Sequence, residues 1–396
     1  MERDTILDPF CGSGTLLVEA LVAGRSATGL DVDPVAAFIS KVKCTPIHPR
    51  LLERRFSQLL DGISRVRRPD AEYDRLMFDD FSHSSIAKLR RRYQIPIIPN
   101  LQHWFRAYVA IDLARLRMAI LDACFEPKVR DFFLACFASV IRNCSNADPI
   151  PISGLEVTAH MRRLDAKGRR IDPFTAFERR TRRELRGMQQ LFDAATAARV
   201  RVIRGDATQL RRYVSTPPQF DAIITSPPYN TAVDYFRRHT LETYWLGLVA
   251  STEHRNTLAS RYIGRVSVRT DNSRLTCTFS STYINDLLAH ARSISPQRER
   301  TLKHYSVSMQ LALNQMARAL KDTGHAILVL GNSKWNGRRV RATRLVSELA
   351  SAAFDVVDSR SYPTTNRYMS YERANGADVN REYVLVLRKR RHALIP

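Results

Sequence analysis

The stretch TSPPYN, residues 225–230, closes a run of β-forming residues and carries groups suited to handling an amine. Neither Pro227 nor Pro228 can donate to a strand ladder and each fixes φ, so the strand must stop there in a stiff loop. In such a loop the Ser226 side chain and the Pro227 carbonyl are expected to point inward as acceptors. An exocyclic amine on a nucleobase is a poor nucleophile because its lone pair is delocalised into the ring. Two acceptors gripping its hydrogens favour a tetrahedral nitrogen and release that lone pair for in-line attack, so positioning and electrostatics carry the reaction. Tyr229 offers a face on which a base can stack, which helps offset the few kcal/mol needed to flip a base out of a duplex. Taken alone, the four residues also read as a proline-rich turn with a core tyrosine, and the rest of the chain has to decide.

A second group decides it. In DPFCGSGT, residues 8–15, Gly12 and Gly14 sit where a strand turns into a helix and let the backbone approach a ligand closely, with free N–H groups at the helix start beyond. The third glycine of a dinucleotide fingerprint is missing, since Leu17 occupies its place. Asp31, in GLDVDP, ends the next strand and is placed to accept hydrogen bonds from ribose hydroxyls. Asp33 is the runner-up for that role, although its position before Pro34 also suits a helix N-cap. Asp206, in IRGDATQL, follows a third strand and could accept from an adenine amino group. Three such features at the carboxyl ends of successive strands describe a nucleoside cofactor lying across a doubly wound sheet, and a sulfonium methyl donor would give the amine its electrophile.

The elements that position these residues follow from hydrophobic pattern. Residues 5–8, 15–23, 27–31 and 34–42 alternate as strand, helix, strand and helix, the opening of a parallel sheet with crossover helices. From residue 45 to 198 helical periods replace the β-pattern, with long helices expected over 104–123, 128–143 and 173–197. The reading is an α/β fold: a doubly wound, mostly parallel, Rossmann-like sheet built from residues 1–44 and 199–396, with an α-rich insertion over 45–198. In the last long helix Phe174, Phe177, Leu185, Met188 and Phe192 share one face. Arg179, Arg180, Arg182, Arg183 and Arg186 cover much of the remainder, as a helix docked on a core with guanidinium groups facing phosphates, or as an ordinary solvated face. Residues 251–300 read as irregular, followed by a helix at 305–320, a strand at 325–330, a helix at 342–353 and two strands, 356–362 and 382–388, pairing antiparallel at one side of the sheet. The basic run 388–392 reads as a solvated tail.

Composition narrows the partners. The 396 residues are 44% hydrophobic, enough for a sizeable core, and carry a net charge of +23 with a pI near 10.3, which favours a polyanion such as nucleic acid. No apolar run approaches the ~20 residues of a membrane span, since residues 16–23 are too few and include Glu19. With no secretory signal evident, the expected location is cytoplasmic. Cys11, Cys44, Cys124, Cys136, Cys144 and Cys277 lack a C-x-x-C pair or a histidine at ligand spacing, so free, mostly buried thiols are expected rather than disulfides or a metal site.

Together DPFCGSGT, GLDVDP, GDA and TSPPYN resemble the motifs of the S-adenosylmethionine-dependent amino DNA methyltransferases, the cytosine-N4 and adenine-N6 class. The stretches SPPYNTAVDYFRRHTLETYWLG, SNADPIPISGLEVT, GHAILVLGNS and REYVLVLRK resemble a subset of bacterial modification methylases, so the likeness spans nearly the whole chain. The resemblance implies a class I methyltransferase fold, S-adenosyl-L-methionine as cofactor and double-stranded DNA as partner. It places Asp8, Phe10, Gly12, Gly14, Thr15, Asp31 and Asp206 at the cofactor, Asp8 on its methionine amino group, and Ser226, Pro227, Pro228 and Tyr229 at the target amine. Serine at the first motif position leans toward cytosine N4 over adenine N6. Cytosine-C5 chemistry is excluded because it needs a cysteine nucleophile, normally directly after proline, and no cysteine follows a proline.

The pattern departs from the family in two places. A further cofactor-binding segment usually precedes the glycine loop, yet Met1 lies seven residues before Asp8. A shortened chain, a distal segment or a second chain completing the pocket would each account for that. The usual target-recognition segment lies just before the catalytic strand, so both the 45–198 insertion and residues 251–300 are candidates for reading DNA. An RNA guanine-N2 methyltransferase of the tRNA type, which shares DPFCGSGT and a related proline-tyrosine motif, is the second enzyme reading. A DNA-binding module that no longer methylates is the third.

Overall fold

Thr5–Asp8 (β1) pairs in parallel with Ser26–Asp31 (β2), and β2 with Val200–Arg204 (β3). On its other side β1 pairs in parallel with Phe220–Thr225 (β4), and β4 with Leu320–Trp335 (β5). The computed structural model describes residues 5–76, 86–149, 155–214, 219–230, 235–265, 268, 273–335, 338–364 and 377–391. Arg338–Val340 (β6) folds back on the end of β5, while Phe354–Pro363 (β7) and Ala377–Lys389 (β8) form the antiparallel pair that the sequence placed at one side. β8 lies between β5 and β7, giving the order β3-β2-β1-β4-β5-β8-β7. This is a doubly wound, mostly parallel α/β sheet of the Rossmann-like kind, and its order reverses between β1 and β4, where ligands of such sheets bind.

The chain divides into two units. The sheet unit comprises Met1–Ser40, Thr196–Phe236 and Leu258–Pro396. Its core joins Leu7, Leu30, Ile223 and Leu328 of the strands to Leu302, Met309, Leu313 and Met316 of the helix Pro296–Ala319. Burial of each such side chain contributes roughly 1.5–3 kcal/mol. Residues 251–300, expected to be irregular, contain the helices Thr252–Ala259 and Thr282–Ile294 and the start of Pro296–Ala319. The missed signals are two serine caps: Ser281 accepts from the Ile284 N–H, and Ser295, directly before Pro296, accepts from the Arg298 N–H.

The helical unit comprises Lys41–Ala195 and Arg237–Thr257. In the helix Pro49–Ser64, Leu52, Phe56, Leu59 and Ile63 recur at helical spacing and are buried, with Phe56 stacked on Phe133 at 6.1 Å. Asp112 is fully buried, accepting from Arg68 Nε and Tyr73 Oη, and burial raises its carboxyl to about 6 against the pull of Arg68. The second segment of this unit falls outside the expected 45–198 boundary. It is tied in by Trp245, fully buried with ring centroids 5.8 Å from Phe105 and 6.1 Å from Phe137. All six cysteines are free, but only Cys11, Cys136 and Cys144 are buried, whereas Cys124 and Cys277 are exposed. Among the described residues no helix is long and apolar enough to cross a membrane.

Candidate active site

The glycine loop is built by a few local bonds. Gly12 and Gly14 have φ of +50° and +78°, the left-handed region that favours glycine. The Ser40 hydroxyl donates to the Gly12 carbonyl at 2.7 Å, and a Cβ on Gly14 would lie 2.7 Å from that same Oγ. A Cβ on Gly12 would meet nothing within 4 Å, so the space beside the loop is open. Gly14 starts the helix Thr15–Val22 without any side-chain cap, and Thr15 is exposed at its first position. Phe10 is half-buried against the sheet core.

The acids divide their duties. Asp31 Oδ2 accepts from the Gly12 N–H and Oδ1 from the Asp33 N–H, both at 2.8 Å, so this carboxylate clasps the glycine loop to the end of β2. Asp33 Oδ1 accepts from the N–H groups of Val35 and Ala36, which makes it the N-cap of the helix Pro34–Lys43. Asp206 Oδ1 accepts from the Thr208 N–H at 2.8 Å and the Thr208 hydroxyl at 2.7 Å, while its Oδ2 is buried and has no partner among the described residues. An open glycine cradle, an uncapped helix start and an orphaned buried acceptor together fit a nucleoside-bearing cofactor whose base presents an N–H donor.

The two loops meet at the sheet's reversal point. The Thr225 hydroxyl donates to Asp8 Oδ1 at 2.6 Å, and the Phe10 N–H reaches the same oxygen at 3.2 Å. Burial raises the Asp8 carboxyl to about 7, with Thr225 and Phe10 opposing and Asp31 adding. One residue further on, exposed Ser226 donates its hydroxyl proton to the Val329 carbonyl at 3.3 Å. Pro227 is buried and Pro228 half-buried.

Tyr229 is seated on a row that crosses three strands. Gly331 of β5 lies opposite Glu382 of β8, and Glu382 opposite Tyr362 of β7. The Tyr229 ring packs over Gly331, and its hydroxyl donates to Glu382 Oε1 at 3.4 Å, while Tyr362 donates to Oε2 at 2.6 Å. Burial and the Glu382 charge both push the Tyr229 phenol upward, so it stays a donor. A Cβ on Gly331 would lie 2.7 Å from the Tyr229 ring. Gly331→Ala should therefore unseat the ring and slow turnover by about 10- to 100-fold, against a fall of only a few degrees in Tm. Wild-type turnover in that variant would show that the ring needs no such seat.

Sequence reasoning missed Ser40, Thr225, Gly331 and Glu382. Thr225 directly precedes the SPPY loop and Gly331 follows the apolar run 326–330, which are weak signals, and Glu382 has none. Asn230 was missed as well: its amide is buried and both its polar atoms lack partners among the described residues. Of the five arginines on Pro173–Ala194, Arg180 pairs with Glu184 at 3.0 Å, and Arg182 pairs with Glu178 and lies over the Phe56 ring. Arg179, Arg183 and Arg186 are exposed on one strip and have no carboxylate partner among the described residues. The stretches around 150–154 and 231–234, and His392 of the basic tail, lie outside the described residues. No observation supports a second chain in the pocket.

Comparison with known proteins bears on the same residues. Residues 1–51 match the UPF0020 family model, described as an RMKL-like, methyltransferase domain. The chain is 24% identical over 367 residues to the Type II methyltransferase M.MvaI of Kocuria varians, covering 88% of this chain and 74% of that protein. It is 31% identical over 90 residues to the Type II methyltransferase M.MjaII of Methanocaldococcus jannaschii, covering 23% of this chain and 16% of that protein. Among solved structures, the rRNA methyltransferase AviRa from Streptomyces viridochromogenes aligns over 97% of this chain and 76% of its own, at 10% identity and a TM-score of 0.28. At that score it carries no argument, and the fold class rests on the strand order.

Proposed function

We propose that the chain is an S-adenosylmethionine-dependent methyltransferase that methylates the exocyclic amine of a base flipped out of double-stranded DNA, with cytosine N4 as the target. The observation that carries this reading is the Thr225–Asp8 hydrogen bond, which holds the glycine loop and the SPPY loop side by side at the sheet's reversal point. The bound cofactor supplies an electrophilic methyl group on a sulfonium. Gly12, Gly14 and the helix start cradle it, Asp31 faces its ribose, Asp206 Oδ2 accepts from its adenine amine, and Asp8 meets its ammonium. On the other side of the junction, the Ser226 oxygen and the Pro227 carbonyl accept the two hydrogens of the target amine. The Tyr229 face holds the base in the plane that aims the freed lone pair.

DNA as the substrate is supported by the +23 charge, the resemblance of the motifs to amino DNA methyltransferases, and the likeness to two Type II methyltransferases. The proposed location is the cytoplasm. Cytosine is favoured over adenine by serine at the first motif position. Incubating the protein with tritiated S-adenosylmethionine and a mixture of plasmid and tRNA, then separating the two and hydrolysing each to nucleosides, tests the reading directly. Labelled N4-methylcytosine is expected; N6-methyladenine would reassign the base, label confined to tRNA would reassign the substrate, and no label with salt-sensitive DNA binding would leave a binding module.

The exposed arginine strip carries the second part of the proposal. Replacing Arg179, Arg183 and Arg186 by Gln should reduce the slope of log K against log salt for DNA binding by up to about 3, close to 0.9 for each phosphate contact removed. An unchanged slope would remove this helix from the interface.

A further inference from the structure

One polar chain in the sheet unit is not used by the reaction as described, and it ends on the orphaned Asp206 acceptor. Arg274, in the short helical turn Ser273–Thr276, is half-buried and donates from Nη1 to Ser308 Oγ at 2.8 Å and from Nη2 to Thr208 Oγ1 at 3.2 Å. A guanidinium has donors only, so both hydroxyls must accept from it and donate onward. The Ser308 hydroxyl donates to the His304 carbonyl at 2.6 Å, and the Thr208 hydroxyl to Asp206 Oδ1 at 2.7 Å. The direction of every proton in the chain is thereby fixed.

The consequence falls on Asp206. Its Oδ1 receives two donors, the hydroxyl and the N–H of Thr208, while its Oδ2 receives none and is buried. Leaving a buried acceptor unpaired costs about 1–3 kcal/mol, so the arrangement is complete only when a ligand brings an N–H donor. His304, almost fully buried on the same helix as Ser308, is pushed down to about 4 by burial and by Arg274 and Arg265. It stays neutral near pH 7 and adds no positive charge beside the guanidinium.

We infer that Arg274 is a positioning residue which, through Thr208, aims Asp206 Oδ2 at the exocyclic amine of the methyl donor's purine and so sets selectivity for a 6-aminopurine cofactor. This rests on the proposed cofactor reading. It assigns a cofactor-selectivity role to a residue nearly 70 positions from Asp206 in a segment the sequence read as irregular.

The probe is a ligand pair, S-adenosylhomocysteine and its 6-oxo analogue S-inosylhomocysteine, whose binding to the intact chain is measured by calorimetry without DNA. The wild-type chain should prefer the adenosyl compound by roughly 10- to 100-fold, the range of one hydrogen bond to a charged acceptor. Arg274→Met should shrink that preference to about threefold or less, chiefly by weakening the adenosyl compound. Thr208→Val, which cuts the same chain without touching the arginine, should do likewise and keeps the test standing if the first variant does not fold. A purely structural arginine would weaken both ligands together and leave their ratio unchanged, and an unchanged ratio in a folded variant overturns the inference while the cofactor reading survives. A folded wild-type chain that binds neither compound overturns the cofactor reading, and this inference with it.

Discussion

Replacing Ser226 by alanine is expected to slow methyl transfer by about two to three orders of magnitude while leaving cofactor affinity within about threefold of wild type. The size of the effect follows from what the hydroxyl does. The hydroxyl lies 3.3 Å from the Val329 carbonyl, and in the proposed reaction its oxygen is one of the acceptors for the target amine. Methyl transfer moves positive charge onto the nitrogen, and a preorganised acceptor is worth most where that charge develops. Alanine removes that acceptor and leaves the Pro227 carbonyl, so a residual rate should remain. Selectivity of the effect follows from position, because Ser226 lies outside the proposed cofactor cradle, the glycine loop and the ends of β1, β2 and β3. Single-turnover rates with tritiated donor, set beside donor affinity from calorimetry, check both halves. A parallel loss of affinity would move Ser226 into the cofactor pocket, and an unchanged rate would remove its acceptor role.

How much of this was legible beforehand depends on how far apart the cooperating residues lie. The doubly wound sheet shows in the alternation of short apolar strands and helices, because crossover connections impose that order on the sequence. TSPPYN and DPFCGSGT are legible because each is a local backbone problem, a strand that must stop and a loop that must pass closely. Asp31 and Asp33 sit at the same strand end, and only Pro34 marks Asp33 in the sequence as the helix N-cap, a role borne out by the bonds from Val35 and Ala36, while Asp31 takes the bond from Gly12. Trp245 joins the helical unit through Phe105 and Phe137, more than 100 residues earlier in the chain, so no local pattern marks the segment Arg237–Thr257 as part of it. Glu382 reaches Tyr229 only because β8 inserts antiparallel beside β5. The arginine helix shows the converse limit: its sequence gives five cations, whereas two of them are engaged by glutamates one turn away.

Asp8 gives the chain a pH dependence whose sign is fixed by its burial. Its carboxyl ordinarily titrates near 3.8 and is raised to about 7 in the folded chain, chiefly by burial at the end of β1, with Asp31 adding and Thr225 and Phe10 opposing. Between those two values the folded chain holds a proton that the unfolded chain has released. The contribution of Asp8 to stability is therefore greatest below about pH 4, falls as pH rises toward 7 and is level above it, a loss of a few kcal/mol from this residue. An ammonium group brought against Asp8 favours the charged carboxylate and reverses that loss. In the ligand-free chain the proton must leave before the pair forms, so affinity for S-adenosylhomocysteine should rise up to about tenfold per pH unit toward pH 7 and level off beyond it. Below pH 7, binding should release up to one proton per molecule, read by calorimetry in buffers of different ionisation enthalpy. Asp8→Asn should bind more weakly at pH 8 and lose both the slope and the proton release, because an amide has no proton to give up in this range. A slope that persists in Asp8→Asn would assign the titration to another group, and a flat wild-type profile would mean that the ammonium does not meet Asp8.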